Sequence, residues 1–396
     1  MNSLPDFLPA QKLSEARSLF PHISQGKIYL NHAATAPLST RVVDATIRYL
    51  QERSSGTLEN FTNDMEMVSE CRQLIQKLIH AESADRIALV GNTSDALNVI
   101  ASGLPWKPGE RILLNNAEFP ANVHPYWHLK KHGIELDFLR AENGKVTPDD
   151  IAAAITPRTR LVALSAVQFL SGYRANLATI GDLCRQRGIL FIVDGIQALG
   201  AVQIDVQRMN IDGFAAGCQK WQLGNQGTAF LYITQQLQNL VQQQHVGWLS
   251  VADPWNFYNF AQPLAATAQR YEIGTLNIPG FWGTTAALRM LLEFGLDNIE
   301  GHVLAITRML MDSLLHIEGI EIVTPANDDE RAGIVTVKLP DAVDPQMIFK
   351  ELFRRNIQIS VREGLLRFSP HFYNSAEDIS TAVGALSECF SEQLAR

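Results

Sequence analysis

The chain has 396 residues, 46% of them hydrophobic and 19% charged, with 26 glycines and 17 prolines; this usage excludes disordered, collagenous and coiled-coil architectures. The length suggests two domains, or one large α/β domain carrying an appendage. The 33 basic and 41 acidic residues leave a net charge of −8 without a basic stripe, which argues against nucleic acid or anionic membrane as a partner.

The opening MNSLPDFLPAQKLSEARSLFPH carries Pro, Asp and Glu where a signal peptide needs a basic end and an apolar stretch. No uncharged apolar run reaches the roughly 18 residues of a membrane span. The expectation is a soluble, cytoplasmic protein. From about residue 85, strand-length apolar bursts alternate with helical spacing. RIALV (86–90), RILLNN (111–116), IELDFL (134–139), RLVALSAV (160–167), ILFIVD (189–194) and TAFLYI (228–233) read as buried strands. SDALNVIASGL, ANVHPYWHLKKHG, TPDDIAAAI and LATIGDLCRQRG between them read as helices. That alternation predicts an α/β fold, with a parallel or mixed sheet covered on both faces. Past residue 235, QQLQNLVQQQH reads as a solvated helix, followed by an aromatic-rich stretch to about 263. Helices are expected over 279–295 and 297–317. The tail alternates through IEIVTP, GIVTVKL, a helix near 344–354, IQISV, LLRFSP and a last helix from Ser375, which makes a smaller α+β unit.

Open α/β sheets bind ligands beyond the carboxyl ends of their strands. After IALV comes Gly91-Asn92-Thr93-Ser94-Asp95-Ala96, whose hydroxyls and N–H groups at a helix start suit a phosphate or serve as a plain cap. After ILFIV comes Asp194, with Gln197 three residues on; an acid ending an apolar strand needs a partner. Dinucleotide and P-loop glycine fingerprints are missing. Lys220, in GCQKWQLGNQG, stands between a buried strand and a tight turn, where a desolvated lysine becomes a nucleophile for imine chemistry or snorkels outward. A phosphate cradle, an acid on one strand end and a lysine near another are together the parts of a pyridoxal phosphate site.

At these residues the chain resembles the fold-type I pyridoxal-phosphate enzymes, specifically the class V aminotransferase and cysteine desulfurase-like group, from YLNHAATAPLS (29–39) to FYNSAEDI (372–379). The resemblance implies a mostly parallel seven-stranded sheet in a large domain over 28–278 and a small α+β domain over 279–396. Residues 1–27 are then an arm packing with the small domain. It makes Lys220 the Schiff-base lysine and Asp194 the partner of the pyridinium nitrogen. Gln197 becomes a donor to the ring hydroxyl, and Thr93 and Ser94 become phosphate ligands. Phe119 falls where the family stacks an aromatic ring on the cofactor. Thr275 matches a threonine that reaches the partner subunit's phosphate, so a homodimer with shared sites is expected. Arg367 matches the arginine that forks onto the substrate carboxylate.

The departures from that family bear on the reaction. Gly217-Cys218-Gln219-Lys220 stands where many relatives have Ser-x-His-Lys, so Gln219 replaces a histidine at the cofactor. Gln168 and Phe169 occupy a substrate-facing pair that desulfurases fill with Ser-Asn or Asn-Asn. The segment SVREGLLRFSP before Arg367 contains no cysteine, so a persulfide acceptor is missing. The four cysteines, Cys71, Cys184, Cys218 and Cys389, form no C-x-x-C and fit a reducing compartment. Cys218 reads as a small residue packing its turn. His124, His128 and His132 share a spacing of four but have no acid or cysteine nearby, so no metal site is expected. Ordinary core is expected to absorb some of Trp248, Trp255, Phe257, Tyr258 and Phe260. The sequence therefore predicts an enzyme acting on an amino acid or amine, an aminotransferase first. A cysteine or cystine C–S lyase or other β-eliminating enzyme is the alternative, and an epimerase or a non-catalytic protein the third.

Overall fold

A computed structural model of the chain describes residues 7–142 and 144–394. Strand β1 (Ile28–Tyr29) lies near the amino terminus. Strands β2 (Ile87–Val90), β3 (Arg111–Asn115), β4 (Glu135–Leu139), β5 (Thr159–Ser165), β6 (Leu190–Asp194), β7 (Gly213–Gly217) and β8 (Ala229–Ile233) follow. The last seven form one sheet in the order β2-β8-β7-β6-β5-β3-β4. All its pairings are parallel except those of β8, which runs antiparallel to both β2 and β7.

The near-continuous apolar strands are explained by burial on both faces. In β6, Phe191 and Val193 enter the core that also holds the helices Phe61–Ile79 and Ile278–Phe294. Leu190 and Ile192 point the other way, into the core with Ala96, Leu97 and Ile100 of helix Thr93–Gly103. Asp194 continues the even-numbered series. It therefore projects on the face covered by the helix that begins at Thr93.

The remaining strands are β9 (Glu321–Ile322), β10 (Val335–Lys338), β11 (Ile357–Gln358), β12 (Ser360–Arg362) and β13 (Leu365–Phe368). An antiparallel sheet in the order β12-β13-β10-β9 packs on helices Pro345–Arg354 and Ala376–Leu394 around a third core. The segment before β1 ties into this part of the molecule. Arg17 pairs with Asp378 at 2.7 Å, Phe20 stacks on Tyr373, and Ile28 and Tyr29 pair in parallel with Ile357 and Gln358. Residues 1–6 of the expected arm lie outside the described residues.

Four expectations need correction. Strand β7 was not anticipated, because GFAAG has no β-branched residue; a side chain at Gly213 would meet Ile100 Cδ1 at 2.6 Å, so close helix packing, not strand propensity, selects glycine. Helices Thr40–Ser55 and Phe61–Ile79 were likewise not anticipated. The helix expected across ANVHPYWHLKKHG is broken into a four-residue helix, His124–Trp127, between two 3₁₀ turns. The glutamine-rich helix stops at Leu240, and its Gln238 is buried, donating to the carbonyl of Ala266 at 2.8 Å. None of the described helices is long and apolar enough to cross a membrane.

Candidate active site

The site lies beyond the carboxyl ends of β3, β5, β6 and β7, facing the strand β13 that carries Arg367. Asp194 is the last residue of β6 and is 2% exposed. Its Oδ1 accepts a hydrogen bond from the backbone N–H of Ile196 at 3.0 Å, whereas Oδ2 is buried with no partner. Burial pushes its carboxyl up to about 7, against the pull of the Ile196 N–H. An acceptor held dry and unpaired costs free energy unless something brings it a donor.

Lys220 follows β7 by three residues. Burial brings its amine down to about 8, opposed by Asp194 and reinforced by the cations Arg367 and Arg362. Its Nζ sits 5.7 Å from the centre of the Phe119 ring. Phe119 in turn meets Phe169 edge-on, with ring centres 5.3 Å apart. A lysine in this condition has a neutral, nucleophilic fraction near physiological pH.

Arg367 is held by antiparallel pairing, opposite Thr336 of β10 and Ser360 of β12. Its Nη1 donates to the carbonyl of Phe169 at 2.6 Å, and its Nε donates to Ser360 Oγ at 3.3 Å. The guanidinium is buried, and its partners among the described residues are neutral. Desolvation, with Arg362 beside it, lowers its pKa to about 10. A buried cation with neutral partners is a receptor for an anion.

The other expected residues are placed as follows. Thr93 opens its helix, and its Oγ1 is buried without a partner; the helix is capped by the side chain of Asn92, which accepts from Asp95 N at 2.9 Å. Both hydroxyls of the pair Thr93 and Ser94 are therefore spared the capping task. Gln197 donates from Nε2 to the carbonyl of Ala33 at 3.0 Å and accepts from Trp221 Nε1 at 2.9 Å. Gln219 is half-buried, and its backbone carbonyl accepts from Ala36 N. Gln168 is turned toward Glu118, donating from Nε2 at 2.9 Å, with its own Oε1 left unpaired. Thr275 is exposed and does not join this group. It borders a cavity of about 700 Å³ with Gly91, Asp95 and Asn98, and another of about 970 Å³ with Trp248 and Trp255. Lys220 and Asp194 line neither. Cys218 packs its turn as a fully buried side chain. The aromatics from Trp248 to Phe260 contribute nothing to the core: Trp248 is 45% exposed and Tyr258 91%.

Sequence reasoning missed Glu118 and Trp221. Glu118 follows the end of β3 and is buried, and its carboxylate accepts from Asn115, Asn122, Gln168 and both N–H and O–H of Ser165. The argument that singled out Asp194, an acid just past an apolar strand, applies equally to it. Trp221 had no signal beyond its place next to Lys220.

These residues fit pyridoxal phosphate. Asp194 Oδ2 needs a donor, Arg367 needs an anion, Thr93 Oγ1 needs a partner, and Lys220 is desolvated. Comparison with known proteins agrees. The family model described as aminotransferase class-V matches residues 28–381. A "Probable cysteine desulfurase" of Methanothermobacter thermautotrophicus is 27% identical over 383 residues, covering 91% of this chain and 94% of that protein. The uncharacterized aminotransferase YcbU of Bacillus subtilis is 25% identical over 375 residues, covering 94% and 96%. Among solved structures, the apo cysteine desulfurase from Thermococcus onnurineus NA1 superposes with a TM-score of 0.88 at 23% identity, over 98% of this chain and all of that one. That last likeness establishes the fold. With a family model spanning the sheet, the lysine turn and the arginine strand together, the chain belongs to the class-V aminotransferase family.

Proposed function

We propose that the protein is a pyridoxal-phosphate-dependent aminotransferase of an amino acid or amine, working through Lys220. The observation that carries this reading is Asp194 Oδ2, buried and unpaired within electrostatic reach of a desolvated lysine. Pyridoxal phosphate, when bound, supplies an electron sink for a carbanion formed beside the substrate nitrogen. Asp194 would keep a proton on the pyridine nitrogen by accepting from it at the unpaired Oδ2, since an N–H donor there satisfies a buried acceptor and a cationic ring offsets the desolvated charge. Lys220 would hold the cofactor through Nζ, and its amine, neutral in part near physiological pH, would serve as the base for the substrate Cα proton. Arg367 receives the carboxylate with the guanidinium edge left free by Phe169 and Ser360, which orients the bond to be broken. Thr93, Ser94 and the N–H groups at their helix start hold the phosphate, Phe119 covers one ring face, and Gln197 and Gln219 serve the ring edge. Gln168 borders the substrate.

The residues from Arg362 to Arg367 form a short hairpin without cysteine, so a persulfide-forming desulfuration has no sulfur acceptor there. In this reading the protein works as a homodimer. The exposed aromatics between Trp248 and Phe260, with Thr275, form the surface that a second copy covers. The arm over 1–27, the cofactor unit over 28–278 and the smaller unit over 279–396 act together, with helix Ile278–Phe294 as the link packed on the cofactor unit. Four buried, free thiols fit a cytoplasmic setting.

The test is a screen of amino donors against a 2-oxo acid, run beside assays for sulfide and pyruvate release from cysteine and cystine. Amino transfer with the cofactor cycling between two absorbing forms is the expected result. Sulfide and pyruvate release without amino transfer replaces the reading by a C–S lyase. Protein that never retains the cofactor overturns it. A sedimentation mass of one chain at micromolar concentration removes the dimer.

A further inference from the structure

We infer that Trp221 is a positioning residue that fixes the amide of Gln197 toward the cofactor and ties that contact to the placement of the smaller unit. The inference rests on the reading of Gln197 as a donor to the cofactor's ring oxygen.

A glutamine amide has a carbonyl end that only accepts and an amino end that only donates, and rotation about its last bond exchanges them at little cost. Here the two ends are distinguished. The indole N–H of Trp221 only donates, and it meets Oε1 at 2.9 Å. The carbonyl of Ala33 only accepts, and it meets Nε2 at 3.0 Å. One orientation satisfies both, and a flip would set two acceptors and two donors face to face. The amino end has two N–H bonds and Ala33 takes one. The second is the bond available to a ligand.

Trp221 is itself fixed at three points. Its side chain is fully buried. Its carbonyl accepts from His371 Nε2 at 2.8 Å, while His371 Nδ1 accepts from the N–H of Phe372 at 2.7 Å, which settles the tautomer. The far edge of the indole lies against Gly333, where an added Cβ would stand 2.2 Å from Cη2. Gly333 precedes β10, and His371 follows β13, the strand carrying Arg367. The residue next to Lys220 is thus clamped by the strands that hold the substrate arginine, and its one polar side-chain atom is spent on Gln197.

The experiment uses the cofactor-loaded protein and the variants Trp221→Phe, Gln197→Leu and the pair combined. The pH midpoint of the visible absorbance change reports protonation at the Lys220 nitrogen. A donor on the ring oxygen spreads that oxygen's negative charge, so losing the donor strengthens the oxygen's hold on the shared proton and raises the midpoint. Each single variant is expected to raise it by about one pH unit, and the double variant by no more. A midpoint that moves in Gln197→Leu but not in Trp221→Phe overturns the positioning role. A midpoint that moves in neither overturns the reading of Gln197 and this inference with it. A purely structural tryptophan would change the melting temperature alone. Where Trp221→Phe yields no folded protein, the indole reports for itself in protein carrying ¹⁵N-labelled tryptophan. Gln197→Leu is expected to shift one of the six indole resonances out of its hydrogen-bonded position, and six unmoved resonances overturn the inference.

Discussion

Glu118 and Asp194 are both buried carboxylates at the carboxyl ends of parallel strands, one three residues past β3 and the other closing β6, yet Glu118 receives hydrogen bonds from five donors and Asp194 from one. Arg331 and Arg367 make a matching contrast among cations. Arg331 is fully buried and pairs with Asp328, Thr307 and the carbonyl of Leu304, whereas Arg367 has a serine and a carbonyl. A fold that is only being stabilised satisfies the charges it buries, because each unsatisfied one opposes folding. Where it leaves an acid and a base open within electrostatic reach of each other, the missing partners come from outside. Glu118 and Arg331 are therefore satisfied as framework, while the proposed function makes Asp194, Lys220 and Arg367 the receptor.

The largest effect is expected at Lys220. Lys220→Ala lowers turnover at least about 10⁴-fold and leaves the protein folded, as rate and melting measurements on one preparation will show. Glu118→Gln is its counterpart in the framework and costs about 2 kcal/mol of stability by chemical denaturation, since a hydrogen-bonded charge is lost from a buried site. A folded, stable Glu118→Gln protein with turnover reduced as much as in Lys220→Ala breaks the comparison.

Asp194→Asn comes next, lowering turnover about 100-fold by removing the charge opposite the ring nitrogen. The same residue gives a pH dependence. Its folded pKa is raised from an ordinary 3.8 to about 7, so the folded cofactor-free protein keeps a proton there that the unfolded chain has lost. Its contribution to stability therefore declines as pH rises from about 4 to about 7. A melting curve against pH should show that decline in wild-type protein and a shallower one in Asp194→Asn. Lys220 acts in the opposite sense. Its folded pKa is lowered to about 8, so the cost of burying its charge is relieved as pH rises above 8 toward its ordinary value.

Arg367→Ala is expected to raise KM for the amino acid about 10- to 100-fold through the loss of a charge-assisted bond. Arg331→Met, by contrast, costs about 3 kcal/mol of stability with KM unchanged. The smallest effect belongs to Phe119→Ala, a two- to tenfold weakening of cofactor binding, roughly what one aromatic contact is worth. A larger loss would mean that Phe119 also supports Lys220, 5.7 Å away.

Much of the candidate site is legible in the sequence because its chemistry is local. Asp194 and Gln197 share one turn, Thr93 and Ser94 share another, and Lys220 announces itself by standing where a solvated charge does not belong. Glu118 was equally legible by the same test and was passed over for the aromatic residue beside it. Strand β7 was not legible, because its sequence answers to the approach of Ile100 from a distant helix. The histidines at 124, 128 and 132 show the converse, a local spacing that suggests a helix the chain does not continue.

The sequence by itself determined the α/β class, six of the seven strands of the main sheet, and the family, since periodicity and short motifs are written in neighbouring residues. Only the tertiary structure decided which buried charges are satisfied, because partners come from segments far apart in the chain. Asp328 closes the account of Arg331, while no acid does so for Arg367 among the described residues. It also decided the surroundings of Trp221, whose indole bonds Gln197, 24 residues away, and lies against Gly333, and whose carbonyl accepts from His371, both more than 100 residues further on. Hydrogen bonds and desolvation act at a few ångströms, and only the folded chain brings such distant residues that close.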